Sequence, residues 1–171
     1  VHRRVVLHRT AVGGGDGVIV VALGLQHLHG GGQHRGAVLT GEARQHRIRG
    51  ERRERVLRAF AGADLIFTGY EDGALLSGET EPEAIATTLS KQFEIAIVTR
   101  GSQGYTVGDR HSVLSVPVTP QPVVDPTGAG DAFCAGFLES WLADWDVRIA
   151  AEAGAELAAE AVGILGGRPS H

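Results

Sequence analysis

The sequence predicts a three-layer α/β fold around a mostly parallel sheet. Three observations carry this expectation. Residues 63–68 and Ile95–Thr99 are apolar runs of strand length, as strands buried on both faces should be. The segments between them carry apolar residues at helical spacing. Two long helical stretches, residues 129–142 and 147–165, close the chain. Strand–helix–strand alternation followed by two helices calls for helices on both faces of one sheet.

Taken in order, Val56, Leu57, Phe60 and Ala61 recur at helical spacing before Gly62. The strand at 63–68 is followed by a short helix over residues 70–76, stopped at Gly78. Glu81-Pro82-Glu83 opens another, with proline and acids in its first turn, running to about Gln92. After Ile95–Thr99, residues 105–107 and 112–118 form an antiparallel hairpin around Gly108-Asp109-Arg110. The sequence contains no internal repeat.

Composition divides the chain. Residues 1–55 hold ten Arg, no Lys and four acids, a balance of +6; the remainder is −10, and the whole −4. All nine aromatic residues lie beyond position 55, while six of the eight His lie before it. The expected organisation is a basic Gly/His/Arg-rich leader at 1–51 and an α/β part at 52–171. Within the leader only residues 18–25 read as a strand, and little further order is expected. Its positive charge could meet phosphates, but no interleaved aromatic residue offers a base a stacking surface. His27, His29, His34 and His46 match no zinc spacing and no cysteine joins them. Arg without Lys, abundant Gly and His, and no aromatic residue suggest GC-rich DNA translated out of frame. A single cysteine, Cys134, excludes an internal disulfide and points to a reducing, cytoplasmic setting. The apolar run at 18–23 is too short to span a bilayer.

The chemistry concentrates in Asp125-Pro126-Thr127-Gly128-Ala129-Gly130-Asp131, directly before an apolar helix containing Phe133, Phe137, Leu138 and Trp141. Small residues let backbone approach a ligand, and a helix's first turn leaves N–H groups without intrahelical partners. With the helix dipole those groups make an anion site. No Gly-Lys-Ser/Thr follows, so the loop is not a Walker loop, nor does it fit GxGxxG. Asp131, in that first turn, could cap the helix or face the anion.

The fourteen residues DPTGAGDAFCAGFL resemble the second signature of the PfkB (ribokinase-like) carbohydrate kinases. The resemblance implies a ribokinase-like fold and ATP-dependent phosphoryl transfer to a sugar or sugar-acid hydroxyl. It makes Asp131 the general base and the amides of Gly128, Ala129 and Gly130 an anion hole. Thr99-Arg100-Gly101-Ser102-Gln103-Gly104 is similar to the family's nucleotide-phosphate turn, which implies that Thr99, Gly101 and Gly104, with Gly128 and Gly130, hold the nucleotide. Gly166-Gly167-Arg168-Pro169-Ser170 is similar to the loop that, with the first motif Asp, holds a monovalent cation. Asp125 and carbonyls of that loop, Ser170 included, would then take K+. The closing helix corresponds to the one beside the family's adenine pocket.

The chain also departs from the family. Where Asn-x-x-Glu is usual, Gly69-Tyr70-Glu71-Asp72 stands, so the placement of Mg2+ is in question. Glu71 and Asp72 read equally well as solvated charges. Nothing in residues 1–55 matches the first signature, and the chain contains no Asn. The resemblance covers residues 52–171 and implies a fold truncated on its N-terminal side. Two readings stand: a carbohydrate kinase acting through Asp131, or a catalytically incomplete nucleotide-binding fragment. The expected partners are ATP and a small sugar or sugar acid, with neither nucleic acid nor membrane. An uncovered sheet edge would favour self-association, a homodimer included.

Overall fold

The computed structural model describes residues 4–10, 18–24, 53–54, 57–58, 60 and 62–167. Six strands form one sheet in chain order: β1 (Arg4–Thr10), β2 (Val18–Gly24), β3 (Leu65–Gly69), β4 (Ile95–Thr99), β5 (Tyr105–Asp109) and β6 (Val113–Val116). Among the described residues, the helices with both ends delimited are α1 (Tyr70–Ser77), α2 (Pro82–Leu89), α3 (Ala129–Asp144) and α4 (Val147–Val162).

The three-layer α/β architecture follows from side-chain alternation along the strands, which sends successive residues to opposite faces. Leu65, Phe67, Ile95, Ile97, Tyr105 and Val107 face α3 and α4, meeting Phe133, Phe137, Trp141 and Ala150. Ile66, Ala96 and Val98 face α1 and α2, meeting Leu76, Ile85, Ala86, Leu89 and Phe93. Phe137 is fully buried and packs edge-on against Phe67, ring centroids 5.2 Å apart at 84°. Burial of one such side chain contributes about 1.5–3 kcal/mol.

The sheet is mixed. β3 and β4 are parallel because α1 and α2 supply the crossover between them. The other pairs are antiparallel. Only residues 100–104 join β4 to β5, too few for a crossover, so the chain must reverse. The β5–β6 hairpin forms as expected, and the Asp109 carboxylate accepts the His111 and Ser112 N–H groups, each at 2.7 Å.

Most element boundaries lie within a few residues of expectation. The difference is β1, a strand not expected within the leader; it pairs along its length with β2. β2 in turn covers the edge of β3, so among the described strands the free edges belong to β1 and β6. The four histidines weighed as metal ligands lie outside the described residues.

α4 is capped by Asp146, whose carboxylate accepts the N–H groups of Arg148 and Ile149 at 2.9 and 3.0 Å. Such a cap contributes about 1 kcal/mol. α3 and α4 cross at two glycines. A Cβ on Gly136 would lie 2.7 Å from the Ala153 carbonyl oxygen, and one on Gly154 the same distance from that of Phe133. The Arg53 guanidinium donates to the carbonyls of Leu76 and, at 2.7 Å, Ser77, satisfying the end of α1.

Candidate active site

The loop ahead of α3 turns at Gly128, whose φ of 86° lies in the left-handed region that residues with a Cβ rarely adopt. The chain thereby enters α3 with the amides of its first turn at the helix end, where the dipole favours an anion. Of these, the Ala129 N–H is directed at the Pro126 carbonyl, at a long 3.3 Å. Asp131 stands in the first turn of α3 and is exposed.

Asp125 organises the approach to this loop. Its Oδ1 accepts the Thr127 N–H and its Oδ2 the Gly166 N–H, both at 2.9 Å. Hydrogen bonds from the Thr127 hydroxyl first, then from the Thr127 and Gly166 amides, hold this carboxyl below the ordinary aspartate value. The N–H groups of Val124 and Asp125 also reach the Val162 carbonyl, at 2.8 and 3.1 Å. The two parts expected to form a cation site are therefore joined. Ser170 lies outside the described residues.

The turn after β4 is a single 3₁₀ turn, Gly101–Gln103, closed by the Arg100 N–H donating to the Gly104 carbonyl at 2.8 Å. Gly104 has φ 97°, and a Cβ there would lie 2.0 Å from the Val116 carbonyl oxygen. Only glycine fits between this turn and β6.

The turn, the helix start and α4 enclose one cavity of about 320 Å³. Thr99, Gly101 and Gly104 line it from the β4 side, and Ala129 and Gly130 from the α3 side. Asp125, Gly128 and Asp131 are not in the lining, though Asp131 adjoins it through Gly130. Two further walls complete it: the closing helix, expected beside the pocket but without named contacts, and a segment that the sequence left unassigned. One is the small-residue face of α4, with Ala155, Ala158, Ala159 and Val162; the other is the segment from Val118 to Val123. The i, i+3, i+4 spacing of the alanines was the available signal for the first. The second reads only as a proline-interrupted loop.

Asp72 is a correction. It is buried, with 1% of its surface exposed, while Glu71 is exposed. Helix α1 begins directly after β3 and buries the face that carries Asp72, Gly73 and Leu76. Gly69, just before it, carries no side chain with which to ligate a metal. Among the described residues no group of three or more His, Cys, Asp or Glu gathers for metal binding. No described helix is long and apolar enough to cross a membrane.

The model of the pfkB family of carbohydrate kinases matches residues 42–170. A fructokinase of Escherichia coli is 40% identical over 78 residues, covering 44% of this chain and 25% of the relative. The adenosine kinase of Sinorhizobium meliloti superposes with a TM-score of 0.63 at 25% identity, over 70% of this chain and 37% of its own. A double-mutant fructokinase from Vibrio cholerae, solved with fructose, ADP and potassium, superposes at 0.60 and 27% identity, over 68% and 40%. The chain thus spans between a quarter and two-fifths of the length of these relatives. With the family model matching most of its residues, the chain belongs to the pfkB family of carbohydrate kinases.

Proposed function

We propose that this chain carries the nucleotide-binding and catalytic part of an ATP-dependent carbohydrate kinase, which transfers phosphate to a sugar or sugar-acid hydroxyl. The observation that supports it best is the single cavity shared by the Thr99–Gly104 turn, the α3 start and α4. The base and ribose would occupy that cavity, with the γ-phosphate directed to the N-terminus of α3. The Asp131 carboxylate would take the proton of the acceptor hydroxyl as its oxygen bonds to the γ-phosphorus, and the bond to the bridging oxygen would break to release ADP. The amides of Gly128, Ala129 and Gly130 would meet the charge on the transferring group, with that of Ala129 leaving the Pro126 carbonyl to do so.

The Asp125 carboxylate and the carbonyls of the loop at 166–170, Ser170 included, suit a potassium ion. Each carboxylate oxygen accepts one amide N–H and keeps lone-pair capacity. Such an ion would add positive charge beside the anion hole. Mg2+ would enter with the nucleotide as MgATP; with Gly69 in place of a side-chain ligand, no step is assigned to a protein-held magnesium. A cytoplasmic setting agrees with the lone, buried Cys134.

A second reading is favoured by the share of the relatives that the chain spans: a nucleotide-binding part that holds no acceptor. Purified protein with ATP, magnesium and potassium, against a panel of sugars and sugar acids, separates the two. Sugar-dependent ADP formation that disappears in Asp131→Asn supports the first. Nucleotide binding without turnover supports the second, and no binding at all would remove both.

A further inference from the structure

We propose that the cavity grips a nucleobase by its faces and leaves its edge unread, so that purine and pyrimidine triphosphates bind nearly alike. This rests on the nucleotide site proposed above and concerns the choice of donor. The side walls are apolar: Ala155, Ala158, Ala159 and Val162 on α4, Phe133 on α3, and Val118, Pro120 and Val123 opposite. Reading a base edge needs a fixed donor or acceptor at a set position, and most candidates are committed elsewhere. The backbone of α4 is consumed within the helix, and the Val162 carbonyl at its end already accepts from both Val124 and Asp125. Thr99 Oγ1 donates to the Thr68 carbonyl at 3.4 Å. Tyr105 is buried, with 3% of its surface exposed. Pro120 has no N–H to offer. Among the described lining residues, edge recognition thus falls to Ser102 and to the segment from Val118 to Val123, where the polar side chains of Ser102, Thr119 and Gln121 are all exposed. Strong rejection of a wrong ligand comes from buried polar groups left unpaired, whereas an apolar pocket discriminates weakly. This cavity is of the second kind.

The test is an NMR titration of the ¹⁵N-labelled chain with ATP, GTP, CTP and tripolyphosphate, following the amides of Gly101, Gly104 and Ala158. The expected dissociation constants for the three nucleotides lie within about tenfold of one another, with tripolyphosphate clearly weaker. Gln121→Ala should shift the three together and leave their ratios alone. ATP bound more than about tenfold tighter than GTP and CTP, a ratio that changes in Gln121→Ala, or tripolyphosphate equal to ATP would each overturn the inference while leaving a nucleotide site standing. If no triphosphate moves these amides, the nucleotide site itself fails and this inference with it.

Discussion

The Asp125 carboxylate accepts the Gly166 N–H at 2.9 Å, joining two residues 41 positions apart. The bond ties the loop that enters α3 to the chain that leaves α4. Both ends of the candidate site, the loop ahead of α3 and the helix α4, are thereby fixed to each other. The paired amides of Val124 and Asp125 on the Val162 carbonyl reinforce the tie.

This tie should depend on pH with a definite sign. The carboxyl is held below its ordinary value in the folded chain, so the contribution is present above the unfolded value of about 3.9. It is lost as pH falls through the lowered folded value. The Gly166 amide resonance should titrate with a midpoint below about 3.9 and stay flat in Asp125→Asn. A midpoint above that value would mean that the carboxylate is not stabilised by these donors.

Gly104→Ala should disrupt the turn beside the cavity. The residue combines a left-handed φ with a Cβ position 2.0 Å from the Val116 carbonyl oxygen, so backbone must move. A loss of at least about 2 kcal/mol is expected from denaturant unfolding. Gly101→Ala is the control, since φ there is 55° with nothing within 4 Å of the added carbon. It should cost only about 1–2 kcal/mol, the price of the left-handed backbone. Equal losses would show that the contact with β6 is immaterial.

How much of this was legible follows from particular residues. Ile95–Thr99 appeared with its expected bounds, because a parallel strand buried on both faces is apolar throughout. The start of α3 was equally clear from Gly128-Ala129-Gly130. β1 was not legible: Arg4-Val5-Val6-Leu7-His8-Arg9-Thr10 lacks strict alternation, and its strand character comes from pairing with β2. Strand direction was legible for the β5–β6 hairpin but not for β4 and β5, which run antiparallel across the short link at 100–104. Asp72 read equally well as the acid of the family's variable element or as a solvated charge, because sequence cannot say which side of a short helix meets the sheet. The closing helix was expected beside the pocket, but its individual wall residues were not legible: alanines and prolines carry no chemistry of their own until a fold sets them opposite the loop ahead of α3.

Phe137→Ala should unfold much of the layer that carries the site. Phe137 is fully buried between Phe67 and Trp141. Removing such a ring costs about 3–5 kcal/mol through lost transfer energy and the cavity left behind. Thermal denaturation by circular dichroism should show a large fall in Tm. A fall comparable to that of an exposed Leu142→Ala would contradict the packing described.

Asp131→Asn should leave nucleotide affinity nearly unchanged while lowering any sugar-dependent turnover by roughly 10²–10⁴, the usual worth of a positioned base. A rate within a few-fold of the parent would make Asp131 a helix cap. Loss of nucleotide binding in parallel would instead point to a damaged helix start.

The most direct measurement is hydrogen–deuterium exchange of the purified chain with and without MgATP. The account predicts slower exchange in three separated segments at once: residues 99–104, 128–133 and 155–162. Each of the three contributes residues to the lining of the cavity of about 320 Å³. Slowing in one of them alone, slowing on the α1–α2 face, or no slowing at saturating nucleotide would contradict the assignment of that cavity to the nucleotide.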